Sequence, residues 1–112
     1  MPIRYNCDLE GFDSCFVEYS ERWTRGEMRR VWDEEGEEYW TLIQSKITAC
    51  NLGTVTEPEA LTVDGLDSID WVLFRWFSAT VLKALGELQT LGEAAGRRLF
   101  ELSEEPEANP TP

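Results

Sequence analysis

The stretch Ile69-Asp70-Trp71-Val72-Leu73-Phe74-Arg75-Trp76-Phe77, running on to about Leu91, holds more apolar surface than one side of one helix can hide in a 112-residue chain. On a helical wheel, Leu73, Phe77, Val81, Ala84, Leu85 and Leu88 form a continuous stripe with Phe74 beside it, which is the pattern of a core-facing helix. Trp71 and Leu82 fall on one flank, and Ile69, Val72 and Trp76 on the other, with Arg75, Lys83 and Glu87 interspersed. The segment is therefore apolar on more than half its circumference. A central position in a bundle would bury the excess. A surface for a partner protein would use it, because large exposed apolar patches mark interaction sites.

The remaining elements follow from shorter periodicities. Ile3, Tyr5, Cys7 and Leu9 alternate with Arg4, Asn6 and Asp8, the period of a half-buried strand, and Cys15-Phe16-Val17-Glu18-Tyr19 is a second β-prone run. Together they predict a β-hairpin over residues 3–19. A lone two-stranded hairpin is marginal in water, so it must lean on the helices or on strands of another copy. Thr24 with Glu27 three residues on forms a capping-box sequence, and Met28, Val31 and Trp32 continue with helical spacing, predicting a helix over 24–35. The acidic run Asp33-Glu34-Glu35-Gly36-Glu37-Glu38 suits the start of the next helix, predicted over 37–50 with Tyr39, Trp40, Ile43, Ile47 and Cys50 on its apolar face.

Residues 52–66 read as a long connection, with a single helical turn over Thr56–Leu61. Asp67 or Ser68 is then available to cap the aromatic helix over 68–91, which would be about 35 Å long. A short helix over 93–102 follows, and residues 103–112 are too acidic and proline-rich to pack. The expected fold is thus α+β and mostly α: one globular unit over 1–102, with an N-terminal β-hairpin packed on a small helical bundle and a long aromatic-rich C-terminal helix.

Composition narrows the chemistry. A net charge of −12 repels phosphate backbones and anionic lipid surfaces, which argues against direct nucleic-acid or membrane-surface binding. Asp70, Arg75 and Lys83 interrupt the longest apolar stretch, so no transmembrane helix is expected, and the N-terminus lacks the apolar core of a signal peptide. Cys7, Cys15 and Cys50 form an odd set without a CxxC pair, and there is no histidine. Zinc binding and a complete disulfide framework are disfavoured, and the cysteines read as buried residues of a reducing compartment. Without histidine, Ser–His and Cys–His nucleophilic arrangements are excluded, and no spacing assembles a catalytic, metal or cofactor site. The chain reads as a non-enzymatic protein. Asp64-Gly65-Leu66-Asp67-Ser68-Ile69-Asp70 lacks the ligand alternation of an EF-hand and is better explained by helix capping.

A resemblance carries the reading further. The order of hairpin, Trp23-Thr24-Arg25-Gly26-Glu27, a helix ending in Ala49-Cys50-Asn51-Leu52, then Leu66-Asp67-Ser68-Ile69-Asp70-Trp71 and Gly96-Arg97-Arg98 resembles the tail assembly chaperones of long-tailed bacteriophages across residues 3 to 100. That family commonly has Trp-Asn-Leu where this chain has Cys50-Asn51-Leu52. The resemblance implies a mostly helical protein of the infected host's cytoplasm, absent from the mature virion. It would coat the tape-measure protein until tail-tube subunits polymerise around it. It also implies that a longer version is made by ribosomal frameshifting near the end of the shorter frame. Under this reading Trp71, Val72, Arg75 and Trp76 contact the client, and the hairpin edge near Tyr5 and Phe16 serves self-association. The alternative is an acidic inhibitor that imitates nucleic acid, such as an anti-CRISPR or other anti-defence protein, built on the clustered acids of 33–38.

Overall fold

A computed structural model describes residues 2–104 of the chain. Residues 105–112, most of the expected tail, lie outside the described residues. The fold is α+β and mostly helical, with a three-stranded antiparallel sheet in the N-terminal half and a long C-terminal helix laid across it.

Strands β1 (Ile3–Asn6) and β2 (Phe16–Tyr19) pair as a hairpin in the register Ile3 opposite Tyr19 and Tyr5 opposite Val17. The pairing runs one step past β1, where the Cys7 N–H donates to the Cys15 carbonyl at 2.9 Å. Helix α1 (Arg25–Asp33) begins at a complete capping box: the Thr24 hydroxyl accepts from the Glu27 N–H at 3.1 Å, and the Glu27 carboxylate accepts from the Thr24 N–H at 2.8 Å. Gly36, in the left-handed region at φ 66°, turns the chain into α2 (Glu37–Lys46).

The hairpin does not stand alone. The helix expected over 37–50 stops at Lys46, and Ile47–Asn51 forms strand β3 on the other side of β2. A sheet contact and a change of backbone conformation take over where helix would continue. The Ser20 N–H donates to the Lys46 carbonyl at 2.7 Å, and Ile47 has extended backbone at ψ 124°. Between Tyr19–Ile47 and Glu18–Ala49 the register slips by one, which leaves Thr48 as the extra residue of a β-bulge, its hydroxyl 3.0 Å from a Glu18 carboxylate oxygen. The bulge puts Ile47 and Cys50, three residues apart, on the same buried side. That spacing imitates a helical face and accounts for the sequence expectation.

The connection after β3 holds a 3₁₀ turn (Pro58–Ala60) and a five-residue helix, α3 (Val63–Asp67), capped by Thr62. Gly65 sits so close to the 3₁₀ turn that a Cβ there would lie 1.9 Å from the Ala60 carbonyl oxygen, a contact no side chain fits. The last helix, α4, runs unbroken from Trp71 to Glu104. Its cap is Asp70, not Asp67 or Ser68. The Asp70 carboxylate accepts from the Val72 N–H at 2.9 Å, while Asp67 and Ser68 end α3. The separate helix expected over 93–102 is a continuation of α4, because Gly92 and Gly96 are set among Leu, Glu, Ala and Arg, all good helix formers. At 1.5 Å per residue, α4 is about 51 Å long, and the molecule measures 61 × 29 × 19 Å.

The core lies between sheet and α4. Val17, Tyr19, Ile43, Leu52, Leu73, Phe77, Val81 and Leu85 are all essentially inaccessible to solvent. Trp40 of α2 stacks on Phe77 with ring centroids 5.7 Å apart and leans on Phe74 at 5.6 Å, fixing α2 against the start of α4.

Candidate interaction surface on the long helix

The buried stripe of α4 leaves its opposite side outward. Trp71, Val72, Arg75, Ala79 and Leu82 are exposed there, at helical spacing that groups them on one face. Trp71 keeps 67%, Val72 53% and Leu82 60% of its surface in contact with solvent. Trp71 is held in place without being covered: one side stacks on Phe74 at 6.2 Å, and the Arg75 guanidinium stands 5.7 Å from its ring centroid. Beside it opens a cleft of about 350 Å³, lined by Trp40, Val63, Leu66, Ile69, Trp71 and Phe74 along with Asp67. An apolar side chain from outside can enter this cleft against the Trp71 edge. The arrangement can bind an amphipathic helix by its apolar face, with Arg75 available to an acidic group beside it.

The structure splits the four expected client residues. Trp71, Val72 and Arg75 share the outward face, whereas Trp76 turns toward β1, is half-buried and packs against the core. There it lines a groove of about 400 Å³ with Tyr5, Ala79, Thr80 and Lys83. The two expected self-association residues are also separated. Tyr5 lies on edge strand β1, and its hydroxyl donates to the Glu87 carboxylate of α4 while Lys83 sits over its ring at 5.8 Å. Burial and the neighbouring Glu87 push the Tyr5 hydroxyl well above the ordinary tyrosine range. Phe16 lies on β2, the central strand, so it is not on an edge, and the Arg4 guanidinium covers its ring at 3.9 Å. Leu82, as exposed as Trp71, belongs to the outward face, and its signal was its place beside Trp71 on the wheel.

The acidic run is distributed over the end of α1, the turn and the start of α2. Arg30 pairs with Glu34 at 3.1 Å. The Glu34 carboxyl is held below its ordinary value by its hydrogen bond with Glu38 and by Arg30, and Glu38 is pushed up by the same bond with Glu34. One oxygen of Glu34 is enclosed without a hydrogen-bond donor among the described residues. Part of the run is therefore engaged within the protein.

Among the described residues, no group of three or more cysteine, aspartate or glutamate side chains is gathered to hold a metal ion, and no helix is long and apolar enough to cross a membrane. Comparison of the chain with protein-family models, with curated proteins and with solved structures produced no match, so the family reading rests on the resemblance in sequence order alone.

Proposed function

We propose that this chain is a non-enzymatic tail assembly chaperone of a long-tailed bacteriophage, which binds apolar helical stretches of the tape-measure protein and keeps them soluble before the tail tube forms around them. The observation that carries the reading is the outward face of α4, where Trp71, Val72 and Leu82 are presented to solvent on a helix already anchored by its opposite side. A protein that hid these side chains for stability alone would turn them inward. The same face supports binding to a client whose own apolar stripe would otherwise self-associate. The charge of −12 supports it as well, since it keeps a coated complex dispersed and favours basic stretches of the client. In this role the protein acts in the cytoplasm of the infected host and leaves before the virion is complete.

Co-expression tests the proposal. The tape-measure protein encoded with this chain should move from the insoluble to the soluble fraction in its presence and co-purify with it at moderate salt. Trp71→Ala combined with Leu82→Ala should reduce co-purification by about tenfold or more while the circular dichroism spectrum stays unchanged, since both side chains are exposed. A tape-measure protein that remains insoluble and uncaptured would overturn the reading. So would capture of a nucleic-acid-handling complex that high salt releases.

A further inference from the structure

The second half of α4 leaves the body of the protein. Val81, Ala84 and Leu85 are fully buried, and from Gly86 to Leu99 every residue is exposed except half-buried Leu88. Yet the buried stripe does not end where the body ends. At helical spacing it continues through Leu88, Leu91, Gly92 and Ala95, on the side opposite the Trp71–Leu82 face. Between Leu88 and Ala95 large and small residues divide along it, Leu88 and Leu91 first and Gly92 and Ala95 after, with Leu99 one turn further on. A Cβ at Gly92 would meet no atom within 4 Å, so the close approach this glycine permits is used by nothing among the described residues. On the flank of the stripe stand Glu87 and Arg98, of opposite sign and eleven residues apart, or about 16 Å along the axis.

We infer that this projecting half is a pairing surface for a second copy of the same chain, laid antiparallel across it. An antiparallel copy centred near Gly92 brings Leu88 against Ala95 and Leu91 against Gly92 of the other helix, so that both of these leucines meet a small residue. It also sets Arg98 of each copy beside Glu87 of the other, a pairing that a parallel copy, which puts these two flanks on opposite sides of the seam, does not make. The arrangement is two-fold symmetric and closes after two chains. It leaves the two bodies at opposite ends. The end of each helix reaches the larger groove of the other, about 760 Å³ between β1 and α4, lined by Ile3, Tyr5 and Leu91 among others. Tyr5 thus takes part in self-association through this groove, while the pairing itself is built on α4. The inference does not depend on the client reading, because the two surfaces lie on opposite sides of one helix.

Sedimentation equilibrium of the full chain over a concentration series tests it. The expected species has twice the mass of the 12.9 kDa chain. Leu88→Glu with Leu91→Glu should raise its dissociation constant by about a hundredfold or more, with circular dichroism confirming that the body remains folded. Arg98→Glu should weaken it by about tenfold, and adding Glu87→Arg to that variant should restore it. A chain that stays monomeric throughout, or a dimer unmoved by the leucine substitutions, overturns the inference. A dimer lost with the leucines but indifferent to Arg98→Glu overturns the antiparallel arrangement.

Discussion

At the scale of single residues, one of the contacts that join sheet to helix is a polar one inside a dry layer. The Tyr19 hydroxyl and Thr80 Oγ1 lie 2.8 Å apart, both buried, and the Thr80 hydroxyl is also 2.7 Å from the Phe77 carbonyl. A carbonyl can only accept, so the single Thr80 hydrogen goes to Phe77, and Tyr19 must donate to Thr80. The two ends of this relay are therefore unequal. Thr80→Val strands the Tyr19 hydroxyl without an acceptor in the core and should cost about 1–3 kcal/mol, whereas Tyr19→Phe removes the donor and should cost only about 1 kcal/mol. Urea unfolding of the two variants checks the order, and equal losses would contradict the donor assignment. Neither end of this relay is marked in the sequence, since Tyr19 and Thr80 are sixty-one positions apart and each has an ordinary local setting.

At the scale of elements, α4 carries a glycine where the helix emerges from the body. A Cβ at Gly86 would meet nothing within 4 Å, so Gly86→Ala should add about 0.5–1 kcal/mol of stability and raise helicity, read by thermal denaturation followed by circular dichroism. The course of this helix was legible in the sequence because its buried stripe repeats over four turns. The first strand pair and the capping box at Thr24 were legible for a similar reason, as period-two alternation and a local side-chain signature that do not depend on distant residues. Strand β3 was not. Its inward residues are brought to helical spacing by a bulge, and the bulge exists only because β2 is there to pair with. The union of β3 with the hairpin is a tertiary fact written in no local pattern. The site shows the same division: the wheel set Trp71 and Leu82 on one flank of the stripe and Val72 and Trp76 on the other, whereas in the structure Trp71, Val72, Arg75 and Leu82 share the outward face and Trp76 does not. Trp76 went inward because β1 crosses on its flank.

At the scale of the whole molecule, burial sets how stability responds to alkaline pH. The Cys50 thiol is pushed up to about 11 by burial and by the neighbouring charge of Glu59, from an ordinary value of 9.0. Burial raises Tyr19 and Tyr39 above the ordinary tyrosine value of 10.0, and Tyr5 is raised by burial and Glu87. Above pH 9 the unfolded chain releases these protons first and the folded chain holds them. Stability is therefore fully present below pH 9 and falls as pH rises toward 11. Urea midpoints taken from pH 7 upward should be level to about pH 9 and then decline, and a midpoint that rises with pH in this range would contradict the burial of these groups.

The junction at Lys46 and Ile47, where helix passes into strand with no residue between, has a mechanical consequence. With no slack to absorb rotation, α2 cannot turn about its axis without twisting β3 and the strands hydrogen-bonded to it, so helix and sheet behave as one plate. The plate meets α4 along a seam held by Trp40 on Phe77 and by Tyr19 on Thr80. A load applied to the far end of α4 acts on this seam with the leverage of a long arm, and whatever takes hold of the arm governs how easily the seam parts.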